Sequence, residues 1–121
     1  MKRFEAVIFD MDGLLVDSEK LWHAVEDDLF AARNINYTLE DRKLVFGLRL
    51  DEFMTVLVKH FGMDEDPNDL GVEANERMIR LIAEKGISPQ PGAHDIVPYV
   101  VDQGYPCAIA SSSHMSIINA V

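Results

Sequence analysis

The spacing of apolar positions changes twice along this chain. Phe4 to Phe9 reads Phe-Glu-Ala-Val-Ile-Phe, nearly continuous in apolar character, and predicts a buried strand of a parallel sheet covered on both faces. From Ser18 onward the spacing is helical. Ser18 is placed to cap a helix running to about Arg33, with Leu21, Trp22, Val25, Leu29 and Ala32 on its apolar stripe and Asn34 as its stop. Thr38, with Asp41 three residues on, predicts the cap of a short helix ending at Gly47. Leu50 to Phe61 follows with Phe53, Met54, Leu57, Val58 and Phe61 inward, closed by Gly62. Met63 to Asn68 reads as an acidic, Pro-containing loop, and Asp69 to Lys85 as a fourth helix with Leu70, Ala74, Met78, Leu81 and Ile82 on one face. Four such helices joined by short loops predict a small bundle.

After Gly86 the signal changes back. Ser88 to Gly92 is a stiff linker, and Ala93 to Gln103 a helix in which Pro98 must remove one hydrogen bond. Tyr105 to Ala110 is a second apolar strand, and Ser111-Ser112-Ser113-His114 leads into another helix, with Ser113 as its expected N-cap. The order is therefore strand, helical insertion, helix, strand.

Composition narrows the partners. The chain has 121 residues, 48% apolar, enough for a packed core and too apolar for disorder. A net charge of −10 argues against nucleic acid or an anionic membrane as the main partner. The single cysteine, Cys107, lies within the second strand, reads as a buried inert thiol and fits a reducing compartment. Met1 to Glu5 lacks the apolar region of a signal peptide and no run reaches membrane-spanning length, so a cytoplasmic protein is expected.

Chemistry concentrates at the strand ends. Asp10 and Asp12 close the first strand at its carboxyl end, where open α/β sheets bind ligands, and Gly13 loosens the backbone behind them. Two such carboxylates ionise together cheaply only with a cation between them; otherwise one keeps its proton. An acidic turn after a strand is the competing reading. Ser111, at the end of the second strand, offers a hydroxyl beside turn N–H groups, a cradle for an anion. Asp17, Glu19, His23, His60 and His114 read as loop or helix-surface residues, and Asp64, Glu65, Asp66 and Asp69 as a solvated acidic loop.

The stretch Phe9-Asp10-Met11-Asp12-Gly13-Leu14-Leu15-Val16-Asp17-Ser18-Glu19 resembles the first motif of the haloacid dehalogenase superfamily, in its branch of sugar-phosphate phosphatases and beta-phosphoglucomutase-like proteins. The resemblance implies a Rossmann-like parallel-sheet core with an inserted helical cap, residues 1–17 and 88–121 forming the core and 18–87 the cap. It implies a magnesium-dependent phosphatase acting on a small phosphate monoester, most naturally a sugar phosphate. Asp10 would be the nucleophile that forms an aspartyl phosphate, and Asp12 the general acid/base. Mg²⁺ would take the Asp10 carboxylate and the Asp12 backbone carbonyl. Gly13, Ser111, Ser112 and Arg49 would contact phosphate or substrate.

Two features qualify that reading. Beta-phosphoglucomutases carry a histidine five residues after the acid matching Asp17, where this chain has Trp22, and an arginine three after the glycine matching Gly47, where it has Leu50. Phosphatase is therefore preferred over mutase, with a non-catalytic, cap-bearing binding protein as a further alternative. The family's later lysine and acidic motifs have no counterpart after Ser111. The chain is thus expected to be half of an enzyme, inactive alone, and to self-associate or pair with a C-terminal half.

Overall fold

The computed structural model describes residues 4–121. Met1 to Arg3, part of the stretch read above for targeting, lie outside the described residues. In chain order the elements are β1 (Val7–Phe9), α1 (Glu19–Ala31), α2 (Leu39–Leu44), α3 (Leu50–Phe61), α4 (Pro67–Lys85), α5 (Ala93–Asp102), β2 (Cys107–Ile109) and α6 (Met115–Ala120). The two strands are adjacent and parallel, with Val7 opposite Cys107, Ile8 opposite Ala108 and Phe9 opposite Ile109. Parallel neighbours need a long crossover, which the five intervening helices supply.

The strands are shorter than expected and are not covered on both faces. Ile8 is 67% exposed and Ile109 49%. A sheet of two strands is too narrow to be enclosed by the helices around it. For the same reason the reading of Cys107 as a buried thiol is wrong: it lies in β2, all of whose residues are exposed.

The helices form where the apolar spacing places them, with informative differences at their ends. The capping box of α2 is present in full: the Asp41 N–H donates to the Thr38 hydroxyl and the Thr38 N–H to the Asp41 carboxylate. This helix ends at Leu44, short of Gly47, and buries none of its own residues. Gly62 closes α3 in the left-handed conformation, φ 61°. The fourth helix starts earlier than the sequence suggested. Asp66 accepts from the Asn68 N–H at 2.8 Å and Pro67 occupies the first turn, where a missing N–H costs nothing. Pro98 lies inside α5 and has no N–H for the carbonyl of His94, yet the helix continues to Asp102.

The centre of the molecule is α4, which packs against α1, α3 and α6. Its inward residues Leu70, Ala74, Met78 and Ile82 join Val25, Leu29 and Phe30 of α1 and Phe53, Met54 and Leu57 of α3 in one buried cluster. That cluster also takes in Met11, Val16 and Ile117, so the strand-end loop and α6 share the helices' core. Phe30, not Ala32, completes the stripe of α1. The helix stops at Ala31, Asn34 turns the chain at φ 56°, and Phe30 meets Tyr37 and Phe61 at ring separations of 4.7 and 5.7 Å. At the rim, Arg33 donates to Glu65 and to Glu73 and also to the Leu29 carbonyl, tying α1 to α4 and the loop before it.

Candidate active site

Beyond Phe9 the backbone folds into a tight loop. The N–H groups of Leu14, Leu15 and Val16 all point at the Met11 carbonyl, and the Gly13 N–H donates to the Val16 carbonyl at 2.9 Å. Met11 is buried and anchors this loop in the core, whereas Gly13 takes φ 75°, which a residue with a side chain rarely adopts. The two chain passages linking strands and helices run side by side here. Asp17 N–H donates to the Ser88 carbonyl at 2.8 Å and Gln90 N–H to the Leu15 carbonyl at 2.9 Å. The side chain of Gln90 also reaches the Gly13 carbonyl, at 3.4 Å.

The two carboxylates face different surroundings. Asp10 is exposed, and its Oδ1 accepts from the Met11 N–H at 2.8 Å. Asp12 is half-buried among hydroxyls. Ser18 donates to its Oδ1 at 2.7 Å, while Ser113 and Ser111 donate to its Oδ2 at 2.7 and 3.2 Å. The Ser111 oxygen in turn accepts from the Ser113 N–H at 3.1 Å. The strand ends are thus joined by a polar cluster around Asp12.

Other candidates stand apart from that cluster. Ser112 is exposed. Arg49 is exposed at the head of α3 and pairs with Asp51 at 3.5 Å. Neither serine expected to cap a helix does so with its side chain. The Ser18 hydroxyl makes no capping bond to α1, and α6 is capped by His114, whose Nδ1 accepts from the Ser116 N–H. Both hydroxyls are instead turned onto Asp12, to which each donates a charge-assisted hydrogen bond. Spacing alone gave no sign of this, because a serine before a helix looks the same in either role.

Among the described residues no group of three or more His, Cys, Asp or Glu side chains is arranged to hold a metal ion. The oxygens at the end of β1 nevertheless suit a hard, water-rich cation. The Asp10 carboxylate is exposed, and the Asp12 carboxylate is already engaged, which leaves that residue's backbone carbonyl as the second donor. No helix among the described residues is long and apolar enough to cross a membrane.

Parallel strands joined through a helical insertion, with an Asp-x-Asp pair at the first strand's end and a serine at the second's, define a Rossmann-like α/β core bearing a helical cap. The comparisons make the class specific. The family model described as haloacid dehalogenase-like hydrolase matches residues 7–120, and the chain belongs to that family. Hexitol phosphatase B of Escherichia coli K12 is 28% identical over 117 residues, an alignment covering 96% of this chain and 53% of that protein. The structure of CbbY from Rhodobacter sphaeroides in complex with phosphate superposes with a TM-score of 0.80 at 25% identity, covering 96% of this chain and 54% of the other. A magnesium-bound hydrolase of the same family from Bacillus subtilis, at 17% identity and a TM-score of 0.71 over 98% of this chain and 58% of its own, shares the fold. The chain therefore spans about half the length of relatives such as these.

Proposed function

We propose that this chain carries the nucleophile and the acid/base of a magnesium-dependent phosphatase for a small phosphate monoester, a sugar or polyol phosphate. The observation that carries the reading is the hydroxyl cluster that holds Asp12 at the strand ends, two residues from exposed Asp10 and directly beside Ser111. Hexitol phosphatase B supports the substrate class.

The reading assigns each residue a step. An Asp10 carboxylate oxygen attacks phosphorus as the ester oxygen departs, and that oxygen takes its proton from the Asp12 carboxyl. Asp12, now ionised, takes a proton from a water that attacks the aspartyl phosphate, releasing inorganic phosphate and restoring Asp10. Ser111 donates to a phosphoryl oxygen, and Gly13 lets the backbone come close to it. The Asp10 carboxylate and Asp12 carbonyl would hold Mg²⁺, which supplies neutralisation of the phosphoryl charge. Arg49 and Ser112 are left as substrate contacts on the cap loop and the β2–α6 turn.

Phosphoryl transfer depends on positioning and charge neutralisation, and no lysine or arginine follows Lys85 in this sequence. The 121-residue chain alone is therefore expected to turn over slowly or not at all. The test is magnesium-dependent release of phosphate from a panel of sugar and polyol phosphates, on this chain and on any longer protein that contains it. In whichever is active, Asp10→Asn abolishes turnover, and Asp12→Asn slows it by roughly 10²–10⁴. Near-parental rates in either variant refute the assignment.

A further inference from the structure

Ser18 occupies the N-cap position of α1 without making a capping bond, and Ser113 lies one residue before His114, the N-cap of α6. Each lies 2.7 Å from Asp12, on different carboxylate oxygens. Ser18 is 2% exposed and is the last residue before α1, so its backbone continues directly into that helix. Ser113 comes from the turn between β2 and α6, on the other strand. Ser111 differs from both. Its contact with Asp12 is longer, at 3.2 Å, it shares Oδ2 with Ser113, and its own oxygen accepts from the Ser113 N–H.

We propose that Ser113 and Ser18 are positioning residues for Asp12, one on each carboxylate oxygen, and that Ser113 leaves Ser111 free to turn its hydroxyl toward phosphate. The inference rests on the reading of Asp12 as acid/base and of Ser111 as phosphoryl donor. If Ser111 were alone on Oδ2, its departure to a phosphoryl oxygen would strip a half-buried carboxylate oxygen of its partner, at a cost comparable to a lost charged hydrogen bond. With Ser113 in place, Oδ2 keeps its shorter bond throughout, and Ser18 fixes the other oxygen. The carboxyl plane is then set before substrate arrives, as acid/base transfer requires of its geometry. Ser18 adds a second consequence. Because it heads α1, a displacement of that helix relative to the strands pulls directly on Oδ1.

The full 121-residue chain, labelled with ¹³C at aspartate carboxyl carbons, reports on this directly at a single neutral pH. The Asp12 resonance, assigned by its loss in Asp12→Asn, is expected to move in Ser113→Ala and in Ser18→Ala, and to return toward the parental position in Ser113→Thr. Ser111→Ala is expected to move it less than Ser113→Ala. Ser116→Ala, which removes a hydroxyl bonded to His114, sets the background and is expected to leave the resonance in place. Backbone resonances of α3, remote in sequence from the substitutions, report that each variant keeps the fold, and Ser113→Thr keeps the test decisive if an alanine variant does not. An Asp12 resonance unmoved by Ser113→Ala, moved more by Ser111→Ala, or displaced as far by Ser113→Thr as by Ser113→Ala overturns the proposal. The readout needs no turnover, so a protein without phosphatase activity would refute the function proposed above while leaving this measurement to stand or fall by itself. In an active protein, Ser113→Ala is expected to lower kcat and leave KM.

Discussion

Glu26 is the carboxylate on which the structure makes its sharpest demand. It lies on α1 with a side chain only 12% exposed, and burial pushes its pKa from 4.5 up to about 7. Arg42, at 3.5 Å, and the Tyr37 hydroxyl, at 3.4 Å, pull the other way without restoring it, and the neighbouring Asp27 adds repulsion. Burial wins because Arg42 is shared: its guanidinium lies 2.7 Å from Asp27 and over the Tyr37 ring at 5.1 Å. The same burial raises the pKa of Tyr37.

The linkage has a definite sign. Below pH 4.5 Glu26 is protonated in both folded and unfolded chains and contributes no pH dependence. Between 4.5 and about 7 the folded chain binds the proton more tightly, so stability falls as pH rises, and above that window the loss is complete. A displacement of this size corresponds to about 3 kcal/mol. Arg42's attraction is already contained in it. Glu26→Gln resembles the protonated acid in size and can still accept from Tyr37. The variant is therefore expected to be more stable than the parent by about 2–3 kcal/mol at pH 8, with the gain vanishing near pH 4.5. Urea unfolding of both proteins at one fixed concentration, from pH 4.5 to 8, measures this difference directly. A difference that is flat with pH, or a variant less stable at pH 8, refutes the reasoning.

Arg33→Ala removes a guanidinium that bridges Glu65, Glu73 and the Leu29 carbonyl, and it should cost about 2 kcal/mol in the same assay. Arg33 holds both acids below the usual carboxylate range, so the parent should lose this contribution as pH falls through their lowered values, while the variant has none to lose. The isolated chain is expected to self-associate through its sheet, because Ile8 and Ile109 are exposed at 67% and 49% beside unpaired strand edges. Ile8→Lys combined with Ile109→Lys should shift it toward monomer in light scattering, and a compact monomer in the parent would contradict the expectation.

Most of the fold was legible because its elements announce themselves by period. The four inserted helices follow from apolar spacing, the start of α2 from Thr38 and Asp41, and the end of α3 from Gly62. What was not legible depended on partners far away in sequence. Pro67 looked like a loop residue until Asp66 was seen to cap α4, since Pro in a first turn and Pro in a loop read alike. Phe30 was overlooked because two of the rings that cover it, Tyr37 and Phe61, lie outside its own helix. Cys107 and Ile8 read as core from strand character alone, but burial of a strand is decided by what lies over the sheet.

The site divides along the same line. Asp10, Asp12 and Ser111 could be picked out because strand ends concentrate chemistry and because the stretch from Phe9 to Glu19 resembles a family motif. Ser18 and Ser113 could not, since local sequence reads each as a helix cap and only the tertiary position of Asp12 shows where their hydroxyls donate. Asp12 holds that position because Met11 beside it is buried in the core that α1, α4 and α6 share. A residue that looks like filler between two acids thus fixes where the second one points. The hydroxyls gather around Asp12 because the fold delivers it to them, a hydrophobic cause for a polar arrangement.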